Sequence, residues 1–110
     1  MLTLKASADF QRIAKQGRKW SGNAFIMQVL KSEDKAAPFR VGFTVTRRIG
    51  NSVTRNRAKR RLREMVRAFL KRQQPAGCDL VLIAKSAAGK MDFAAMCAEF
   101  DKGVAATGVA

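Results

Sequence analysis

Gly50-Asn51-Ser52-Val53-Thr54-Arg55-Asn56-Arg57-Ala58-Lys59-Arg60-Arg61-Leu62-Arg63-Glu64-Met65-Val66-Arg67 is the stretch around which the chain is organised. On a helix turning about a hundred degrees per residue, Ala58, Leu62, Met65, Val66 and Phe69 fall on one face. That is the i, i+4, i+7, i+8, i+11 spacing of an amphipathic helix. Asn56, Arg57, Lys59, Arg60, Arg61, Arg63 and Arg67 take the flanks and the opposite face, and Glu64 is the single acid among them. One side suits a core, and the other suits a polyanion.

A solvated helix face usually mixes signs, because like charges at i+3 or i+4 repel by a few tenths of a kcal/mol each. Arg57 pairs in this way with Arg60 and Arg61, and Arg63 with Arg67. A helix that accepts such repulsion recovers it from a ligand. The excess of Arg over Lys points to phosphate, which the planar guanidinium grips bidentately.

The whole chain agrees with this reading. Its 110 residues predict one domain over 1–110, and 47% hydrophobic content supports a packed core. A net charge of +14 is that of a binder of nucleic acid or of anionic membrane, not of an enzyme acting on a neutral metabolite. Eleven of the 22 basic residues lie between Arg47 and Arg72, so the charge is focused. No histidine is present, and Cys78 and Cys97 are too far apart for a CxxC pair. A Cys/His zinc site and a His-based triad are therefore excluded. The cysteines read as small buried residues in a reducing cytosol. Neither a signal peptide nor a run long enough to span a membrane is visible.

In order, Ser7 to Gly17 reads as a short helix, with Ser7 as N-cap, Gly17 as stop and Phe10, Ile13 and Ala14 on one face. Lys19 to Asn23 reads as a basic, aromatic turn into a strand over Ala24–Leu30. After a polar loop, Phe39–Thr46 alternates, with Phe39, Val41, Phe43 and Val45 on one side and Arg40, Gly42, Thr44 and Thr46 on the other. A hairpin between these two strands is the economical pairing. Asn51 or Ser52 caps the basic helix, which runs to about Gln73 or Gln74 before Pro75-Ala76-Gly77. Asp79–Ala84 reads as a buried central strand, and Asp92–Lys102 as a last helix with Phe93, Met96, Cys97 and Phe100 on one face. The small residues from Gly103 onward read as a frayed tail. The fold class is an α+β two-layer sandwich.

No catalytic constellation stands out, and no metal-ligand cluster. Gly50-Asn51-Ser52 has the look of a phosphate-binding turn but lacks the Gly-Lys-Ser/Thr of a phosphate loop. It reads first as a helix cap alone, with an added contact to backbone phosphate as the lesser alternative.

Thr54-Arg55-Asn56-Arg57-Ala58-Lys59-Arg60-Arg61-Leu62-Arg63-Glu64 resembles the Arg-Asn-Arg signature of the bacterial ribonuclease P protein subunit. The likeness extends to Asp9-Phe10-Gln11-Arg12, Gly17-Arg18 and Arg40-Val41-Gly42-Phe43-Thr44-Val45 leading to Arg47-Arg48-Ile49-Gly50-Asn51, in the family's order. It implies an α-β-β-β-α-β-α fold with a left-handed crossover through the basic helix, against the usual right-handed rule. It also implies a cytoplasmic protein, monomeric within a 1:1 ribonucleoprotein. The partners would be a catalytic RNA subunit and precursor tRNA, whose 5′ leader is removed with magnesium held by the RNA. No cofactor is expected on the protein's own side chains.

Carried over by residue, the resemblance implies RNA-subunit contacts at Arg55, Asn56, Arg57, Lys59, Arg60 and Arg63, with Arg47, Arg48, Asn51, Arg61 and Arg67 on the same surface. Leader contacts are expected in a cleft between the first helix and the sheet. They involve Phe10, Ile13, Lys15, Arg18, Trp20, Lys59 and Arg63. Ala14 stands where several members carry a second aromatic and Gln28 where some carry a tyrosine, so leader preference is not carried over, and Trp20 and Phe25 are the candidates to compensate. Three rivals are weighed against this reading: a ribosomal-type protein binding other structured RNA, a membrane-surface protein using the basic helix, and a stand-alone nuclease. The first shares the charge and fold but has no reason to carry Arg-Asn-Arg. The second needs the apolar helix face that the sheet requires, and the third lacks a histidine or carboxylate cluster.

Overall fold

The computed structural model describes residues 1–109. In chain order the elements are β1 (Leu2–Thr3), α1 (Ser7–Gln16), β2 (Arg18–Ser21), β3 (Phe25–Lys31), β4 (Arg40–Thr44), α2 (Ser52–Arg72), β5 (Cys78–Ala84) and α3 (Phe93–Thr107). Short 3-10 turns at Arg47–Ile49 and Ser86–Gly89 precede α2 and α3. The strands form one sheet in the order β1-β4-β5-β3-β2.

The apolar run of β5 explains that order. Only Ile83 among its seven residues is more than slightly exposed, so the strand needs cover on both faces and neighbours on both edges. It pairs antiparallel with β3, from Phe25↔Ala84 to Lys31↔Cys78, and parallel with β4, from Arg40↔Asp79 to Thr44↔Ile83. The expected β3–β4 hairpin is therefore wrong: β5 occupies the seam between them. The parallel pair β4–β5 is joined through α2, the crossover that parallel neighbours require.

Side chains on directly paired residues share a face of the sheet. One face carries Phe25, Met27, Val29, Val41, Leu80 and Leu82, packed under α2 and α3 in the main core. From α2 the core receives Ala58, Leu62, Met65, Val66 and Phe69, the five residues its periodicity selects. Phe100 of α3 meets Phe69 and Phe25 edge-on, with ring centroids 5.2 and 6.1 Å apart. The other face carries Leu30 and Val81, covered by Phe10 and Ile13 of α1 together with Leu4, with Ile83 partly buried at the margin of this cluster.

Several local expectations need correction. Ser7 lies inside α1, whose N-cap is Ala6 with no side-chain bond. Gly17 ends the helix at φ −79, so it is not a left-handed stop. Its lack of a side chain serves proximity instead: a Cβ there would stand 2.6 Å from the Ile13 carbonyl oxygen and 2.7 Å from that of Val29. The turn expected at Lys19–Asn23 is partly strand, since Arg18–Ser21 pairs with β3 at the sheet edge. The tail does not fray at Gly103. Helix α3 continues to Thr107, with Gly103, Val104 and Thr107 buried and Gly108 closing it in the left-handed conformation at φ 78. Gly103 permits this, because a Cβ there would lie 2.8 Å from both Met27 and Trp20.

Candidate nucleic-acid interface

Helix α1 is bolted to the sheet by charge. Asp79 is 8% exposed on the α1 face of β5. Arg40 donates to it from Nε at 2.9 Å and from Nη2 at 2.7 Å. Arg12 of α1 donates to the same carboxylate at 3.3 Å and to Asp9 at 3.3 Å. The hydrogen bond to Asp79 raises the Arg40 pKa above its ordinary value, against a smaller opposing effect of burial. Two guanidiniums on one nearly buried carboxylate fix where α1 crosses the sheet.

Phe10 is placed by Gly42. Its ring lies so close over β4 that a Cβ on Gly42 would stand 2.6 Å from both Cε1 and Cζ. A glycine in a strand often marks such a close approach. Beyond Phe10, α1 leaves one row of the sheet open. Ser21, Ile26, Ile83 and Thr44 stand side by side across β2, β3, β5 and β4, exposed or half-exposed. The row is the uncovered part of that face, bordered by Phe10 over Gly42, where the expected leader cleft would lie. At the same end of the sheet the chain leaves Thr44 for Arg47 and Arg48, both exposed, and enters α2.

Helix α2 starts where the sequence allows. The Asn51 side chain accepts from the Thr54 N–H at 2.9 Å. Its cations divide into two groups. Arg55 donates to the Gly50 carbonyl at 3.2 Å, and Arg61 to the Met91 carbonyl. Arg60 lies 3.9 Å from Glu64, and the Arg63 guanidinium sits 5.8 Å over the Phe43 ring. Arg47, Arg48, Arg57, Lys59 and Arg67 make no ion pair among the described residues. Asn56 and Arg57 are exposed on the first turns of the helix.

The exposed cations of α2 suit the binding of a polyanion. Burial pushes the thiols of Cys78 and Cys97 up, with the charges of Asp79 and Asp101 adding to the effect, so neither favours a thiolate. No group of three or more His, Cys, Asp or Glu among the described residues is placed to hold a metal ion. No helix among them is long and apolar enough to cross a membrane.

The residues expected at the leader cleft do not all reach it. Phe10 borders the open row, and Lys15 is exposed at the end of α1. Ile13 is fully buried in the small core and presents no surface. Arg18 pairs with Val29 and Trp20 with Met27, which puts both on the α2–α3 face. Lys19, paired with Gln28, is the β2 cation on the cleft face. Phe25 is fully buried in the main core and compensates for nothing at the cleft. Lys59 and Arg63 are half-buried on α2, Arg63 against Phe43 of the opposite sheet face. Lys19, Gly42 and the Arg12–Arg40–Asp79 network are what reasoning from sequence missed. For Gly42 the signal was present, as a glycine inside an alternating strand.

A family model described as Ribonuclease P matches residues 2–108. The ribonuclease P protein component of Gluconacetobacter diazotrophicus is 40% identical over 106 residues, covering 96% of this chain and 90% of that protein. That of Bartonella quintana is 41% identical over 104 residues, covering 90% and 77%. Among solved structures, the RNase P protein of Staphylococcus aureus superposes with a TM-score of 0.81 at 27% identity, over 99% of this chain and 97% of that one. The RNase P protein of Thermotoga maritima superposes with a TM-score of 0.76 at 25% identity, over 93% and 94%.

Proposed function

Because this chain belongs to the ribonuclease P protein family, whose members are components of a tRNA-processing ribonuclease, we propose that it binds the catalytic RNA subunit through α2 and the 5′ leader of precursor tRNA through the cleft beside α1. The observation that carries this reading is the continuity of two surfaces. The open sheet row Ser21–Ile26–Ile83–Thr44 leads at one end of the sheet to Arg47, Arg48 and the unpaired cations of α2.

In this reading Arg57, Lys59 and Arg67 neutralise phosphates of the RNA subunit, joined by Arg47, Arg48, Arg55, Arg60, Arg61 and Arg63, while Asn51 and Asn56 donate hydrogen bonds from their neutral amides. Phe10 and Lys19 flank a leader strand laid along the cleft, with Lys15 beside it. A cationic groove with an aromatic wall grips a single strand with little sequence preference. Ala14 and Gln28 offer no rings, so stacking rests on Phe10. Among the described residues no group of three or more His, Cys, Asp or Glu is placed to hold a metal, and α2 is strongly cationic. The magnesium used in leader removal is accordingly assigned to the RNA, as is the bond-breaking step. The assembly is a cytoplasmic 1:1 ribonucleoprotein.

The test is precursor-tRNA cleavage by the cognate catalytic RNA at low magnesium, with and without equimolar protein. Rescue of mature 5′-end formation supports the reading. Absence of rescue with tight RNA binding intact would transfer the chain to a different structured-RNA role.

A further inference from the structure

At the β2 edge, where Ser21 ends the open sheet row, edge strand β2 and helix α3 border a depression of about 400 Å³ lined by Trp20, Ser21, Gly22, Asn23, Lys85, Glu99 and Lys102. Glu99 is only 9% exposed. Its Oε1 accepts the Ala24 N–H at 3.0 Å. Gly22 leaves room for that carboxylate, since a Cβ there would lie 2.0 Å from Oε1. Oε2 accepts no hydrogen bond from the described residues. Among the described residues no fully enclosed side-chain oxygen lacks a partner, so Oε2 is reached from outside. Capping Ala24 accounts for one oxygen of Glu99 and leaves the other as a fixed acceptor.

Around that acceptor stand a ring and two cations. Trp20 is half-buried, 6.2 Å from Phe25 between ring centroids and against Gly103. Lys85 is held by donating to the Ser21 hydroxyl at 2.7 Å and to the Gly22 carbonyl at 2.6 Å. That leaves it one further donor. Lys102 is exposed, and neither lysine forms an ion pair with Glu99.

We propose that this depression is a nucleotide site that takes one unstacked guanine nucleotide of an RNA. The base lies against Trp20, its N–H edge donates to Glu99, and its phosphate meets Lys85 and Lys102. Aromatic rings hold single bases by stacking, whatever their sequence. Selection comes from the carboxylate, which accepts hydrogen bonds only. Guanine offers N1–H and the 2-amino group side by side. Uracil offers one N–H between two carbonyl oxygens that a carboxylate repels. The site shares Ser21 with the end of the open sheet row and no residue with α2; Ser21 is given no contact to the nucleotide, so the comparison of bases tests the site separately from the function proposed above.

Trp20 is the only tryptophan of a chain without tyrosine, so its fluorescence reports on this site. The full chain is titrated with guanosine, inosine and uridine 5′-monophosphates and with inorganic phosphate, at matched ionic strength. Guanosine monophosphate quenches saturably, at about five- to ten-fold lower concentration than inosine monophosphate, which lacks the 2-amino group, or uridine monophosphate. Phosphate alone leaves the signal unchanged. Glu99→Gln, which still caps Ala24, removes the preference for guanine, and Lys102→Ala weakens all three nucleotides alike. Equal responses to phosphate and nucleotide, equal affinities for the three bases, or a guanine preference that survives Glu99→Gln would overturn the proposal. The comparison of bases on the unaltered chain decides it even if the Glu99 variant does not fold.

Discussion

Arg57→Ala separates the cost of the basic helix from its use. Arg57 is exposed, makes no ion pair among the described residues and faces Arg60 and Arg61 one turn away. Removing it relieves two like-charge contacts, so folding stability is expected to stay level or rise by a few tenths of a kcal/mol. Loss of one charge-assisted phosphate contact is expected to cost about 1.5 kcal/mol of RNA affinity, a little over ten-fold. The salt dependence should flatten as well, by about 0.7 to 0.9 in the log–log slope for one phosphate fewer. Arg61→Ala is the paired control. Arg61 donates to the Met91 carbonyl that leads into α3, so its loss should also cost stability, about 1–2 kcal/mol. Urea unfolding and binding to the RNA subunit over a salt series give both quantities for both variants. An Arg57→Ala protein that binds with unchanged affinity and slope, or that unfolds as readily as Arg61→Ala, would refute the division of the α2 cations into free and structural groups.

Gly42→Ala should push the Phe10 ring off the sheet, costing about 1–3 kcal/mol of stability by overpacking and lowering affinity for leader-bearing precursor relative to mature tRNA. Thermal melting and competition binding check the two effects. Asp79→Asn leaves Arg12 and Arg40 without their carboxylate and should loosen α1, costing about 1–3 kcal/mol because both guanidiniums still reach water. Hydrogen exchange should show the loss of protection concentrated in α1. Cys78, 3% exposed, should react with an alkylating reagent only when the chain opens, and half-buried Cys97 more slowly than a free thiol. Because burial raises both thiol pKa values, their contribution to stability is fully present below the unfolded thiol pKa. It is lost as pH rises through the folded values, a decline that replacing both cysteines with alanine should reduce in alkaline urea titrations.

What was legible in the sequence was what repeats. The 3.6-residue period of α2 selected its five buried residues, and the unbroken run Asp79–Ala84 announced the central strand. Alternation in β4 divided Val41 and Phe43 from Arg40, Gly42 and Thr44 correctly. Pairing was not legible, because the hairpin rule favours neighbours in sequence and β5 arrives from far along the chain to separate β3 from β4. Strand β2 hid because Arg18, Lys19 and Ser21 are edge residues whose polarity imitates a turn. That error carried into the site. Without the register of β2, nothing told which of Arg18, Lys19 and Trp20 faces the cleft, and it is Lys19. The end of α3 was missed because Gly103 and the alanines after it resemble a loose tail until Met27 and Trp20 are seen packed against the bare backbone.

The late entry of β5 into the middle of the sheet governs how the protein comes into being. A nascent chain that has emerged only as far as Pro75 holds β2–β3 on one side and β1–β4 on the other, with no strand to join them. Each fragment then shows a bare inner edge, and α2 has only half a surface on which to lay its apolar stripe. The most cationic segment is thus made before the scaffold that orients it, beside a ribosome built largely of RNA. Any RNA that recognises only the folded arrangement pulls the chain toward it by mass action. Residues Cys78–Ala84 therefore act as a keystone: truncation before them leaves two half-sheets with nothing to join them.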